Sequence, residues 1–516
     1  MYWCKIATTE SEFEQIARLN YETFVEEIPQ HSPNDERKLV DRLHHENTYL
    51  VVYKDDLLIG MLAFRDARPF SLDEKIGDVE AYLAADFCEK LCEIRLLAVK
   101  KKYRNGRVFL QLANALFQYV YTQGYTATVI SGTTREERLY KHLGFEQMAP
   151  VVGKEDALFI PMVLTRDKCI DLQKTLRIKQ QTFYPGPIMQ TETLTHTNTS
   201  HRSSLFQYMY TDLKSKLLEL SKAHYVTTAV GTGTLANDIM FGQLKSDFPS
   251  QKGLILINGE FGERLAMQAT HWGLTFDRVE SAWGEPFELD DISEAIQTQN
   301  YSWLAFVHGE TSTGMVNDLQ AILQIAKNAD VKVCTDCISS FGAFSYSLKD
   351  YYLATSVSGK SIGALSGLAF VFSSFEPTHT DAPLYSNLAN YYTKDVPFTL
   401  PSYLVANCSH ALNQYPKRYE VLLKRLQQMK ASPFAPYIFA ENANYPAIIT
   451  LVFPPVLAQF STNAKLNGLL LHDESEYLQQ RGYTQISMLQ PDFEEAFAKL
   501  CNLFEQYQHV ENSSLV

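Results

Sequence analysis

Beyond about residue 184 this chain alternates short, uninterrupted apolar runs with longer segments of helical spacing, and that alternation restricts its fold more than any other feature. Leu254 to Ile257, Trp303 to Val307 and Lys332 to Thr335 are runs of this kind, and Thr234 to Lys245 and Leu319 to Lys327 are two of the helical segments. A strand without a polar face must be covered on both sides, and strands separated by helices can run parallel. The expectation is therefore α/β: a mostly parallel sheet covered by helices. Pro185-Gly186-Pro187 punctuates the start of this unit, which is assigned to 184–395. A small C-terminal α/β lobe, with two long helices around Ile448 to Phe453, is expected over 396–516.

Residues 1–165 carry a separate α/β pattern. Leu50 to Tyr53 and Leu57 to Phe64 read as a hairpin around Lys54-Asp55-Asp56, Cys92 to Val99 reads as a strand, and Phe109 to Tyr121 has helical spacing. Leu139 to Phe145 ends a helix at Gly144. A polar, helical connector is expected over 166–183. The 516 residues accommodate two to four domains at roughly 100 to 200 residues each.

The formal charge of −13 disfavours nucleic acid or an anionic membrane as a partner, because neutralising phosphates takes an excess of Lys and Arg. No apolar run approaches the roughly 18 residues needed to span a bilayer, and Met1 to Ile6 lacks the pattern of a signal peptide, so a cytoplasmic location is expected. The eight Cys form no dense framework. Cys334 and Cys337 form a CxxC, but no second pair has zinc spacing; these read as buried thiols, and no metal site is expected.

Three features of the larger unit carry chemistry. Gly231-Thr232-Gly233-Thr234 follows an apolar strand and opens a helix, presenting N–H groups and hydroxyls to an anion, although such turns also simply cap helices. Asp336 ends a strand, at the sheet edge where open α/β folds bind ligands. Lys360 lies in Ser358-Gly359-Lys360-Ser361, among small residues that admit a bulky partner; an isolated Lys is ordinarily a solvated charge. An amine, an acid for a pyridine nitrogen, a flat wall and a phosphate cradle are what pyridoxal 5′-phosphate (PLP) requires.

These segments resemble the class V aminotransferases, and among them the 2-aminoethylphosphonate:pyruvate and alanine:glyoxylate aminotransferases. The resemblance runs from about Tyr184 to the C-terminus and rests on six motifs in family order. They are Pro185-Gly186-Pro187, Gly231 to Thr234, Asn258 to Arg264, Val307 to Gly314, Asp336 to Gly342, and Ser358-Gly359-Lys360. It implies a PLP fold type I domain, with Lys360 as the Schiff-base lysine and Asp336 as the partner of the pyridine nitrogen. It further implies Phe261 stacked on the ring, Thr232, Gly233, Thr234 and Ser358 at the phosphate, and Thr311 near the phenolic oxygen. Phe398 to Pro401 resembles the segment through which a neighbouring subunit completes the phosphate cradle, so Thr399 is a cofactor contact and a homodimer is implied.

Two departures stand out. Where the family carries an Arg that clamps the substrate's acidic group, this chain has Gln485, and an amide does not replace a planar charged fork. Arg481, His201 and Arg202 are the other substrate-side candidates. Gly359 stands where the relatives carry Gln or Asn.

In the first unit, Lys101 to Arg107 is a basic, Gly-containing turn between a strand and a helix, a good phosphate site as well as an ordinary solvated loop. With Glu93 to Val99 and Leu139 to Phe145, this region resembles the Gcn5-related N-acetyltransferase (GNAT) superfamily, and Asn20 to Glu27 resembles its N-acyl amino acid and acyl-homoserine-lactone synthase branch. The resemblance implies that Arg104, Gly106 and Arg107 bind the acyl donor, acyl-CoA or an acyl carrier protein thioester. It implies too that Tyr140 protonates the leaving thiolate and that Glu93 is a candidate base. Arg107 and Phe109 occupy positions where the superfamily has small residues.

Together these expectations describe a bifunctional enzyme: a transaminase for a small primary amine and an oxo acid, fused to an N-acyltransferase. A PLP lyase or decarboxylase with an acyl-CoA-sensing first domain is the rival reading.

Overall fold

In the computed structural model the structure describes residues 2–28, 30–104, 106–154, 157–176, 180–190, 198–439 and 444–513. The chain divides into two compact units. One comprises Met1–Thr182, Pro454–Leu470 and Ala496–Val516; the other comprises Phe183–Phe453 and Leu471–Glu495. The stretch 396–516 is thus shared between them.

The first unit is built on an eight-stranded sheet. Its strands run in the order Tyr2–Ile6, Thr48–Lys54, Leu57–Arg65, Leu91–Val99, Ala127–Thr133, Ala157–Thr165 and Glu146–Gln147, with Val152–Lys154 also paired to Ala157–Thr165. The one parallel pair sets the site. Leu91–Val99 pairs with Ala127–Thr133 only from Leu91 to Ile94, opposite Ala127 to Ile130. Past Ile94 the two strands are no longer hydrogen-bonded, and a bulge on the other side deepens the separation: the register with Leu57–Arg65 shifts between Met61 and Ala63, and Leu96 takes a positive φ of 51°. Helix Arg107–Thr122 covers this region with Val108, Leu112, Ala115 and Leu116, one face of a helical repeat.

The far segments of the chain close the free edge of this sheet. Asn467 accepts from Cys4 N (2.9 Å) and donates to Cys4 O (2.7 Å), and Asn463 accepts from Ile6 N (2.8 Å), so side-chain amides replace a missing neighbour strand. Lys5, fully buried, is neutralised by Glu12 and Glu511.

The second unit has a seven-stranded sheet in the order Tyr225–Val230, Leu368–Ser373, Leu353–Val357, Lys332–Asp336, Trp303–Val307, Lys252–Ile257 and Thr275–Glu280. Leu368–Ser373 is antiparallel to both neighbours and every other pairing is parallel. Alternate residues feed two cores: Leu254, Leu304, Phe306 and Phe370 belong to one, and Ile255, Ala305, Val307 and Val371 to the other. Both faces are therefore covered, as the all-apolar runs require. The helices expected at Thr234 to Lys245 and Leu319 to Lys327 form as Gly233–Asp247 and Leu319–Asn328. Ile448–Val452 pairs antiparallel with Tyr483–Ser487 beyond helices Ser402–Asn413 and Tyr415–Lys430. Among the described residues no helix is long and apolar enough to cross a membrane.

Two candidate active sites

In the second unit the site forms where parallel strands end. Asp336 closes Lys332–Asp336 and is buried; Asn237 Nδ2 donates to one carboxylate oxygen and Ile338 N to the other, both at 2.8 Å. Burial pushes its pKa up, against the opposing pull of Asn237, the Ile338 N–H and the Lys360 charge. Lys360 follows Leu353–Val357. Burial pushes its pKa down, opposed by Asp336, so the two groups sense each other's charge. The Tyr184 to Met189 turn lies over the lysine: a β-carbon placed on Gly186 would come 3.3 Å from Gly359 O and 3.7 Å from Lys360 Cδ. Gln490 holds that turn, donating to Tyr184 O and Pro187 O and accepting from Met189 N.

Thr232 and Thr234 flank the first turn of helix Gly233–Asp247. Both are exposed, and Thr232 does not cap the helix with its side chain, which leaves hydroxyls and first-turn N–H groups open to an anion. Ser358 is different: it is buried, donates to Leu365 O (2.6 Å) and accepts from Leu368 N (3.2 Å). Its hydroxyl is engaged by the loop that follows the lysine.

Phe261 begins helix Glu260–His271 beside Arg264, whose guanidinium lies 4.9 Å from the ring centre. Glu310, fully buried, accepts from Phe261 N (3.2 Å), Gly262 N (3.1 Å) and both the N–H and the hydroxyl of Ser312. It thereby fastens the Phe261 helix to the Thr311 loop. Burial outweighs these donors and pushes its pKa up to about 7. From the other side Gln485 Nε2 donates to Thr311 O (2.7 Å), Ser312 O (3.2 Å) and Thr450 Oγ1 (2.9 Å). Gln485 is completely buried and serves as a strut for the same loop.

Other candidates lie apart from this cluster. Arg481 is exposed, stacked 3.6 Å over Trp283, which neighbours Tyr477 and, through it, Phe261. His201 and Arg202 sit in the turn before helix Ser204–Ser221, where His201 O accepts from Gln207. Thr399 is exposed just before helix Ser402–Asn413, with no hydrogen bond to the other candidates. Sequence reasoning did not assign roles to Glu310, which lies inside a motif, or to Asn237 and Gln490, which lie outside all six, because a single buried acid or amide has no distinguishing periodicity.

In the first unit the separated strands bound an apolar cavity of about 110 Å³. Ile94, Leu97, Leu112, Leu116, Ile130 and Tyr140 are among the residues that line it. Tyr140 lies on helix Glu137–His142, and a β-carbon on Gly132 would come 2.9 Å from its ring, so only Gly lets the ring lie against that strand. Burial raises the phenol's pKa, which keeps it protonated as a proton donor requires. Glu93 is fully buried and accepts from Ser71 N (2.8 Å), Ser71 Oγ (2.7 Å) and Leu72 N (2.9 Å); it anchors a loop and is not part of the cavity wall. Arg104 donates to Val99 O and pairs with Glu27 at 2.7 Å. Gly106 takes a positive φ of 79° as the N-cap of helix Arg107–Thr122, and Arg107 is its exposed first residue. Asn105 lies outside the described residues. Phe109 lines the cavity.

Comparison with known proteins finds a separate family for each unit. Residues 188–384 match the family model "Aminotransferase class-V", and residues 15–166 match "N-acyl amino acid synthase FeeM". Each match covers less than half of the chain: the second unit is similar to class V aminotransferases and the first to N-acyl amino acid synthases. Among curated proteins, a 2-aminoethylphosphonate–pyruvate transaminase of Pseudomonas fluorescens is 27% identical over 285 residues, 50% of this chain and 76% of the relative. One from Pseudomonas entomophila is 30% identical over 213 residues, 39% of this chain and 57% of the relative. The chain also resembles solved structures. A Thermus thermophilus aspartate aminotransferase matches with a TM-score of 0.55 at 20% identity, over 64% of this chain and 99% of the other. A Mesorhizobium loti pyridoxamine–pyruvate aminotransferase matches with a TM-score of 0.56 at 17% identity, over 65% and 96%. The second unit thus has the fold of the PLP-dependent aminotransferases of fold type I.

Proposed function

We propose that the chain is a bifunctional enzyme whose second unit transaminates a small primary amine with an oxo acid, using PLP, and whose first unit N-acylates that amine or a related one from a thioester donor. The observation that carries the first half is the placement of Lys360, under the Gly186 turn, within reach of the charge of the buried Asp336 carboxylate, which Asn237 holds beside a helix N-terminus bearing open hydroxyls. These residues fit the cofactor. Lys360 would hold its carbonyl carbon, Asp336 its pyridine nitrogen, Phe261 its ring face, Thr311 its phenolic oxygen, and Thr232, Gly233 and Thr234 its phosphate.

PLP, when bound, supplies an electron sink for the substrate carbon that loses a proton. The chain's own part is proton handling. The lowered pKa of Lys360 favours the neutral amine, the form that accepts a proton; the donors Asn237 and Ile338 N–H and the Lys360 charge favour the charged form of Asp336 against its burial, the form that would keep a proton on the pyridine nitrogen. The closed Glu310 to Ser312 loop keeps Phe261 and Thr311 in fixed relation. A neighbouring copy completes the phosphate cradle through Thr399 in a homodimer.

In the first unit the acyl chain occupies the cavity behind Tyr140, the donor's phosphates lie at the start of helix Arg107–Thr122, and Tyr140 gives its proton to the departing thiolate. The donor is acyl-CoA or an acyl carrier protein thioester. Since the wall beyond Ile94 is, apart from Arg95 and Ser131, aliphatic and aromatic, the donated group is longer than acetyl.

A second reading, a PLP lyase, is favoured by one observation: Gln485 has no guanidinium and its amide N–H groups already serve the Thr311 loop. One experiment separates the two. The full chain is incubated with PLP, pyruvate, an acyl-CoA series and a panel of amines including 2-aminoethylphosphonate, and products are identified by mass spectrometry. Alanine together with an N-acylated product supports the bifunctional reading, whereas amine breakdown without alanine rejects transamination.

A further inference from the structure

The loop after Lys360 resolves the departure at Gly359. A β-carbon on Gly359 would lie 2.1 Å from Ser366 Oγ and 2.7 Å from Ser366 Cα, so Ser366 occupies the space that any larger residue at 359 would need. The residues on either side of Ser366 are held fast. Leu365 N donates to Asn407 Oδ1 (2.7 Å), Leu365 O accepts from Ser358 Oγ (2.6 Å), and Gly367 O accepts from Gly231 N (2.9 Å). The last bond brings Ser366 next to the Gly231 to Thr234 turn. Gln190, itself bonded to Asn407, adds a contact to Gly363 O, and Arg418 donates to Ser361 O, so the whole return from Lys360 is braced. Ser366 itself is exposed, and its hydroxyl makes no hydrogen bond among the described residues. A rigid loop thus presents an open hydroxyl between Gly359 and the helix start, while the hydroxyl of Ser358 is turned into the loop.

We infer that Ser366 is a cofactor-phosphate ligand, donating its hydroxyl beside Thr232 and Thr234 in place of a side chain at position 359 and of the engaged Ser358. The inference rests on the PLP reading of this site. A Ser hydroxyl rotates freely to meet a phosphate oxygen, and a hydrogen bond to a charged acceptor is stronger than one between neutral groups.

The test is equilibrium binding of PLP and of pyridoxal, which lacks the phosphate, to the full apo-protein, followed by the cofactor's absorbance. Ser366→Ala is expected to weaken PLP about tenfold, in the range of a hydrogen bond to a charged group, and to leave pyridoxal unchanged. Gly359→Asn, which sets a β-carbon against Ser366, is expected to weaken PLP as well, and Gly359→Asn with Ser366→Gly to recover most of the loss. Unchanged PLP affinity in Ser366→Ala, or equal weakening of PLP and pyridoxal, overturns the inference while leaving the site reading intact. A wild-type protein that binds neither compound overturns both.

Discussion

The two candidate sites are made in opposite ways. In the second unit the polar residues are held by the fold without being used up by it: Asp336 takes one hydrogen bond on each oxygen and senses the charge of Lys360, and Thr232 and Thr234 are exposed, their hydroxyls unengaged among the described residues. In the first unit two charged candidates are tied into the structure, Glu93 by Ser71 and Leu72 and Arg104 by Glu27, Arg107 stays exposed at the helix start, and the open space is a mostly apolar wedge with the Tyr140 phenol at its wall. A polar constellation that binds a charged cofactor needs many fixed donors and acceptors. A site for an acyl chain needs volume and a single proton donor. Charge in a sequence motif therefore points to chemistry in one unit and, at Glu93 and Arg104, to architecture in the other.

That contrast can be broken experimentally, starting from the strongest effect. Lys360→Ala should lower transamination by about 10²- to 10⁴-fold, the usual contribution of a positioned proton carrier, with acyl transfer by the same protein unchanged. Coupled product assays report both rates, and retained transamination would remove Lys360 from the mechanism. Tyr140→Phe should give the mirror image, acyl transfer reduced by about 10²-fold with transamination intact; equal activity would make the phenol a packing residue.

Glu93→Gln sharpens the comparison from the other side. As a loop anchor it should cost about 1 to 3 kcal/mol of stability, seen as a lower denaturation midpoint, while acyl transfer in the folded protein stays within a few fold. A loss as large as that of Tyr140→Phe would restore Glu93 as a base.

The last expected effect, spread over a pH range and read only as a slope, is a pH dependence. With Glu310 raised from 4.5 to about 7, the folded state holds a proton that the unfolded chain releases between those values, so the contribution of this group to stability is fully present below pH 4.5 and is lost through that window. The shift corresponds to about 3 kcal/mol at most. Glu310→Gln should flatten this part of the profile in denaturant titrations from pH 4.5 to 7.5; an unchanged slope would assign it to other groups.

Legibility in the sequence follows the same division. The parallel sheet was readable because its strands are apolar on both faces, and Asp336 and Lys360 were readable because strand ends and small flanking residues are local signals. The strut role of Gln485 was not, since its partners Thr311 and Ser312 are more than 170 positions away. Nor was Ser366, whose meaning arises only when Gly359 and Gly231 are brought against the same loop. The grouping of Pro454–Leu470 and Ala496–Val516 with the first unit was equally hidden. It depends on Asn463, Asn467 and Glu511 meeting the edge strand Tyr2–Ile6, and single amides and acids on helices carry no periodic trace of a distant partner.

By itself, then, the amino-acid order determined the class of each unit and the residue types able to hold a phosphate, an amine and a ring, because periodicity and turn chemistry act over a few neighbouring residues. Tertiary structure alone decided which of those groups stay available. Burial and hydrogen-bond satisfaction are set by residues far apart in the chain, and they left Thr232, Thr234, Ser366 and Tyr140 facing open space while Glu93, Ser358 and Gln485 became part of the frame.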